Sequence, residues 1–491
     1  MYRCMIRTSV YASVLAVMAL SAPARAATKI HAYDPAALDD FGYSVAISGG
    51  TVIVGAWSRD GQGVAEYDVG AAYLFDSAGS ALFDDPLTIN DGEAYDNFGL
   101  SVAVSGNRAI VGAPGHNGWT GAAYLFDVST GDPIGDPLTA NDGAPGDLFG
   151  DSVAISGDWA IVGADRADDE TRGADCGAAY LFDLTTTGSQ YKLTADDDMD
   201  AYDRFGFSVA IGGNTAIVGA KRDDTDTIAD CGAAYLFDVN TGERRFGGKL
   251  TADDPQPYDE FGCSVAISGQ RAIVGAEGGN ATGAAYLFDA FSGSRLHKLT
   301  ADDGAENDLF GASVAISGDR AVVGADYADG TAGAAYLFDV GTGNQITPLR
   351  ADNPAEYDWF GYSVAISGTV ALVGAYGDDD TADGSGSAYL FNLTGGGYET
   401  IPGDANHDGR VNETDVAILA SHWGWDYANW EMGDFTGDQV VGPADAAVLA
   451  ANWGFGTSPP GESASAVPEP SALLLLVALA GLGLLRRRKP R

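Results

Sequence analysis

Most of the chain is written in short apolar runs that recur at a nearly fixed spacing, each bounded by Gly, Asp or Ser. One unit shows the pattern. Phe310-Gly311 opens it, and Ser313-Val314-Ala315-Ile316 alternates small and bulky side chains with the period of a strand. Ser317-Gly318-Asp319-Arg320 supplies turn residues, and Ala321-Val322-Val323 is a second strand ended by Gly324-Ala325. After a variable loop, Gly333-Ala334-Ala335-Tyr336-Leu337-Phe338 is a third strand. A turn at Gly341-Thr342-Gly343 leads to a fourth, Pro348-Leu349-Arg350-Ala351, and an acidic loop returns to the next Phe-Gly. Tyr336-Leu337-Phe338 is apolar without alternation, which predicts a strand buried on both faces.

Phe-Gly recurs at Phe41, Phe98, Phe149, Phe205, Phe261, Phe310 and Phe360, with gaps of 57, 51, 56, 56, 49 and 50 residues. A period near 50 marks a repeat architecture, and four short strands per unit is the pattern of a propeller blade. The first three strands occur seven times, but the fourth occurs only six times between copies. Lys29-Ile30-His31-Ala32 at the start reads as the missing one. The expected fold is all-β: a seven-bladed β-propeller over residues 28–398, closed by pairing this N-terminal strand with the last blade near Leu390-Phe391. Closure removes the open edges of a linear array, and an open solenoid is the alternative.

Beyond the repeats the period changes. Val416, Leu419, Ala420 and Trp423 fall on one helical face, and Ala446, Leu449, Ala450 and Trp453 repeat it 30 residues later. An Asp-rich loop precedes each helix. The spacing is that of a calcium loop, in which oxygens at positions 1, 3, 5, 7 and 12 surround a hard cation. The candidate ligands are Asp404, Asn406, Asp408, the Arg410 carbonyl and Asp415 in the first loop. In the second they are Asp434, Thr436, Asp438, the Val440 carbonyl and Asp445. Two Ca2+ sites are therefore expected in a small α-helical domain over residues 402–456. The second is the weaker, because Gln439 stands where Gly suits a left-handed turn, a cost of roughly 1 kcal/mol. Thr436 is also a neutral ligand there.

The ends read as addresses. Arg3 and Arg7, an apolar run from Val10 to Leu20 and Ala24-Arg25-Ala26 form a secretory signal peptide over residues 1–26. A Pro/Gly/Ser linker over 457–466 leads to Val467-Pro468-Glu469-Pro470, an apolar run from Ala472 to Leu485 and the basic end Arg486-Arg487-Arg488-Lys489. That run is short for a full membrane span, and a permanent single-helix anchor is the alternative to a processed tail. Either way the bulk of the chain is expected outside the cytoplasm, with membrane contact only through the C-terminal segment.

Charge narrows the partners. The chain carries 69 Asp and Glu against 26 Lys and Arg, a formal net charge of −43. Such a surface repels nucleic acid phosphates and anionic lipids. The acidic clusters Asp165/Asp168/Asp169, Asp223/Asp224/Asp226 and Asp378/Asp379/Asp380 are expected to be solvated loops, with weak cation binding as the alternative. Cys176 and Cys231 occupy equivalent places in adjacent copies and could pair in an oxidising compartment, which would leave Cys263 over. The five histidines share no repeat position, and no nucleophile elbow, phosphate loop or zinc spacing stands in a credible context.

Three resemblances add to this reading. Phe-Gly, Ser-Val-Ala-Ile, Ile-Val-Gly-Ala and Gly-Ala-Ala-Tyr-Leu-Phe resemble FG-GAP repeats, the units of integrin α-chain propellers, and imply a binding or scaffolding propeller more often than an enzyme. Calcium-binding members carry a carboxylate-rich loop between the first two strands; the turn here is too short, so those sites are not carried over. The tandem loops resemble a type I dockerin, which implies calcium-dependent docking to a cohesin-like partner. Glu413-Thr414 and Pro443-Ala444 depart from the Ser-Thr that commonly reads the partner. The C-terminus resembles a PEP-CTERM sorting signal, which implies processing by an exosortase-like enzyme in a bacterium. The function expected is a secreted or cell-surface, non-catalytic binding or adhesion protein, its propeller a platform for a protein or glycan ligand. An extracellular polysaccharide-degrading enzyme, a glycoside hydrolase or lyase carrying a dockerin, is the alternative, and a purely structural matrix protein is a third.

Overall fold

The computed structural model describes residues 27–61, 67–89, 92–169, 171–186, 188–195, 200–224, 228–278, 282–393, 411, 413–421, 423 and 441–451. The leader 1–26, the linker 457–466 and the sorting segment 467–491 lie outside the described residues. The chain divides into two compact units between Phe391 and Asn392.

The first unit is a ring of seven antiparallel sheets. In each sheet the first strand lies at one edge, followed by the second and third. The first strands pack against one another, Val102–Ser105 between Ser44–Ser48 and Val153–Ser156, and so on until Ser363–Ser367 meets Ser44–Ser48 again. They therefore surround the axis, and the fourth strands lie outermost. Each first turn is a two-residue hairpin, such as Gly318-Asp319 between the paired Ser317 and Arg320. A turn of that length cannot encircle a cation.

The expected closure is present. Thr28–Ile30 pairs with Ser387–Asn392, Lys29 opposite Tyr389. Phe41 bridges Gly386, and the Ser363 hydroxyl donates to the Gly42 carbonyl at 2.7 Å. This last bond belongs to a set of seven. Ser44, Ser101, Ser152, Ser208, Ser264, Ser313 and Ser363 each donate to the Phe-Gly carbonyl of the following blade at 2.7–2.8 Å.

The repeated residues are the joints of this ring. Each Phe of Phe-Gly packs against the Tyr and second Phe of its own blade's third strand, with ring centroids 5.3–6.0 Å apart. Such pairs add on the order of 1 kcal/mol beyond the area they bury. Gly324, at the end of a second strand, has the next blade's Phe-Gly backbone against it: a Cβ there would stand 1.9 Å from the Gly361 carbonyl oxygen. Two residues before each Phe an Asp turns back and accepts from the backbone N–H three residues earlier, at 2.6–2.9 Å. The acidic loop before Phe-Gly is thus in part a structural turn.

The blades are not all alike. Five sheets have four strands and two have three. In the first two copies the fourth segment touches its neighbour only at isolated bridges, Ala72 to Leu87 with Phe75 to Ala81, and Ala123 to Leu138 with Phe126 to Pro133. More residues separate the pairing points on the outer segment than on the strand opposite, so the excess loops out of the ladder.

In the second unit, helices span Glu413–Ser421 and Pro443–Ala451. Val411, Leu419, Val441 and Leu449 form a buried core, with Val416, Ile418, Trp423, Ala446 and Val448 packed against it. The 30-residue internal symmetry read from the sequence is kept by Val411 with Val441 and Leu419 with Leu449. Ala450, expected on the apolar face, is exposed. Among the described residues no helix is long and apolar enough to cross a membrane.

Candidate functional sites

Of the ten expected calcium ligands, Asp415 and Asp445 lie among the described residues; Asp404, Asn406, Asp408, Arg410, Asp434, Thr436, Asp438 and Val440 lie outside them. Asp415 and Asp445 occupy the third position of their helices and have no exposed surface. Asp445 accepts from the backbone N–H of Gly442 at 2.8 Å, and Pro443 opens the helix where a missing N–H costs nothing. A fully buried carboxylate demands compensation. Residues 402–456 contain nine Asp and Glu but a single Arg and no Lys, so the chain itself offers little positive charge for that purpose. Hard oxygen donors beside a buried carboxylate fit a Ca2+ ion.

The acidic clusters of the propeller are not simply solvated. Asp165, Asp223 and Asp378 are buried, each 1–2% exposed. Asp165 accepts from Arg204 at 2.9 Å, Asp223 pairs with Lys249 at 2.5 Å, and Asp378 pairs with Lys29 at 2.7 Å. Asp223 and Asp378 also accept from the hydroxyls of Tyr235 and Tyr389. The partners come from a different strand or loop, which is why the local run of Asp did not reveal them. Asp226 lies outside the described residues.

The pairing considered for Cys176 and Cys231 does not occur; neither they nor Cys263 form a disulfide. Cys176 and Cys231 face carbonyls of their own blades, Cys176 those of Ala167 and Gly173, Cys231 that of Asp223, and Cys263 faces the Gly311 carbonyl of the next blade. His116 is buried with Nδ1 3.1 Å from Asp96, one of the turn-forming Asp residues, and reads as part of the framework.

A second site emerges where the repeat breaks its own rule. Three positions differ from copy to copy: the residue before Phe-Gly, the residue after it, and the residue after the Gly-Ala that ends the second strand. First and second strands are antiparallel neighbours, so the start of one and the end of the other share one end of the ring. The first strands surround the axis, so these positions gather at the mouth of the central channel.

The blades furnish this mouth unequally. Copies seven and one supply aromatic rings. Tyr43 lies 4.8 Å from Tyr362, 5.4 Å from Tyr376 and 5.7 Å from Trp57 between centroids. Trp359 stacks on Tyr376 at 4.9 Å and 10°. Copies three to five supply charges: Arg204 on Asp165, and Lys221 at 3.0 Å from Glu260 and 3.7 Å from Glu277, above the Phe207 ring at 4.0 Å. Copy six supplies Asp326, 4% exposed, whose Oδ1 has no hydrogen-bond partner among the described residues.

Burial holds protons on these acids. It pushes Asp151 up to about 7, with Asp165 adding to the effect and Arg166, Arg204 and Lys221 opposing it. It pushes Glu277 up to about 7 against the pull of Lys221, and Asp326 up to about 6. The Cys263 thiol, also at the mouth, is raised by burial and by Glu277. Sequence reasoning assigned no residue to this site. The available signal was the set of three variable columns that directly flank the constant Phe-Gly and Gly-Ala.

Comparison with known proteins agrees with this architecture. The family profile of FG-GAP repeats matches residues 25–75, 84–126, 136–182, 187–237, 246–288, 294–338 and 344–391, and the chain belongs to this family of repeat propellers. The dockerin type I domain matches residues 402–452 and the PEP-CTERM protein-sorting motif residues 466–489. Type I dockerin domains bind calcium and dock onto cohesin partners, and the PEP-CTERM motif marks a chain for export and sorting. No curated protein matches the chain.

Proposed function

We propose that this is a secreted or cell-surface, non-catalytic binding protein. Its propeller presents a ligand or partner site at the channel mouth, and its dockerin-type module, spanning 402–456 and loaded with two calcium ions, attaches it to a cohesin-like protein. The observation that carries this reading is the division of labour within the repeat. Residues that hold the ring together are constant in seven copies, while no two copies carry the same set of residues at the three mouth positions. The second loop holds its ion more weakly than the first. The tail is handled by an exosortase-like enzyme, so membrane attachment is a stage of export.

One observation favours a catalytic reading: Asp151 and Glu277 keep protons near neutral pH, as a general acid requires. Against it, Glu277 is engaged by Lys221, and the aromatic rings of the mouth bring no nucleophile. A glycan and protein binding array, probed with the full chain with and without calcium, tests the proposal. Retention of a ligand without chemical change is expected. Release of sugar from a polysaccharide, lost on Glu277→Gln or Asp151→Asn, would replace the binding role with the enzymatic one.

A further inference from the structure

The charges at the channel mouth do not balance. The three variable positions carry six carboxylates (Asp40, Asp151, Asp165, Glu260, Glu277 and Asp326) and two cations, Arg204 and Lys221. Arg204 is engaged by Asp165, and Lys221 is shared between Glu260 and Glu277. Asp40 accepts from the Ser58 hydroxyl at 2.9 Å. Asp326 is different. It is 4% exposed, its Oδ1 meets no donor, and its charge is held only by its own backbone N–H, with no Lys or Arg engaged. Its charge is felt by Glu277 on one side and by Tyr362 and Tyr376 on the other. A buried carboxylate that lacks a cation thus borders the aromatic group.

We propose that the mouth binds an organic cation, an ammonium carried on a short apolar stem, between the Asp326 carboxylate and the rings of Tyr43, Tyr362 and Tyr376. The inference rests on the reading of the propeller as a binding platform and names the chemistry of its ligand. An anion is repelled by the excess of carboxylates. A neutral apolar ligand leaves Asp326 desolvated without a partner. Among the described residues no cluster of three or more metal-ligating side chains exists, so a bare metal ion lacks its donor set. An ammonium satisfies both halves of the site: its charge pairs with the carboxylate, and its polarised C–H or N–H groups meet ring faces. Binding drives the proton from Asp326, which burial holds up to about 6, so affinity rises with pH through that value. The other titratable groups facing Asp326 are Glu277, held up to about 7, and Tyr362 and Tyr376, both raised by burial, so no base there offsets the change.

Calorimetry on the full calcium-loaded chain with n-butylammonium, tetramethylammonium and neutral 1-butanol tests this. Both cations are expected to bind at pH 7.5, and 1-butanol about tenfold more weakly or not at all. Asp326→Asn should lower cation affinity about tenfold with the melting temperature unchanged or higher, since it removes a buried charge. Tyr376→Leu should weaken it roughly threefold to tenfold. Tighter binding of butylammonium points to a lysine side chain or another primary amine, and tighter binding of tetramethylammonium to a quaternary amine. Equal binding of 1-butanol, or affinity indifferent to Asp326→Asn, overturns the inference. If no cation binds while array ligands are still retained, the cation site fails and the platform stands.

Discussion

The two units of the chain bury carboxylates in opposite ways. In the propeller, Asp165, Asp223 and Asp378 vanish from solvent beside Arg204, Lys249 and Lys29, cations supplied by other parts of the same ring. In the small unit, Asp415 and Asp445 are fully buried in a segment with one Arg and no Lys. At these three positions the propeller supplies its own counter-charges, whereas that segment of the small unit has a single Arg to set against its acids. The contrast predicts that folding of the small unit depends on calcium and that of the propeller does not.

The largest test of that contrast is metal removal. Chelation should unfold the small module outright and leave the β-sheet circular dichroism of the propeller unchanged. Asp404→Ala combined with Asp408→Ala should do the same to the module in the presence of calcium. A module that stays folded in chelator, by hydrogen exchange at 413–421 and 443–451, would erase the distinction.

Next in size is the self-supplied pair. Asp223→Ala strands Lys249 and the Tyr235 hydroxyl, and should cost the propeller about 3–5 kcal/mol in denaturant melts, with or without calcium. Asp445→Ala should matter only when calcium is present. A calcium-dependent effect of Asp223→Ala would break the comparison.

Gly324→Ala probes the ring without touching charge. Its Cβ meets a backbone carbonyl oxygen of the next blade at 1.9 Å, so the blades must part, at about 3 kcal/mol. The measurement is the unfolding midpoint of the propeller, and an unchanged midpoint would mean that the joint is looser than the packing implies.

The smallest effect is at the mouth. The folded pKa of Asp326 is raised above its unfolded value, so the folded state binds more protons and stability falls as pH rises from about 4 to about 6. Asp326→Asn should therefore gain on the order of 2 kcal/mol at pH 8 and nothing at pH 4. A gain that persists at pH 4 would assign the effect to packing instead of charge.

The sequence made the ring legible because the ring is held by residues every copy needs. Phe-Gly, the Ser that donates across blades and the Gly that lets the next backbone approach all recur, and so the strand order, the count of seven and the role of Lys29-Ile30 could be read in advance. Over the described residues the helical face of the small unit was legible for the same reason, save that Ala450 faces solvent; Trp453 lies outside them. What could not be read are contacts joining distant segments. Asp165 looked like part of a charged loop because Arg204 lies 39 residues away, and the Cys176 thiol looked free to bridge because its own carbonyl partners carry no sequence signature. The mouth was hidden by its variability: positions that escape the repeat look like noise until the ring brings them together.

The strand Thr28–Ile30 gives the ring a latch, and a latch sets an order of events. It pairs with residues more than three hundred positions later, so the first strand to leave the ribosome is the last to find its neighbour. Six blades can assemble in sequence, each on the one before, but the seventh waits for the chain's own beginning to return. Until then two strand edges stay open. Lys29, paired with Asp378 and Asp380 and set 5.4 Å from the centre of the Tyr389 ring, is the pin that fastens the latch.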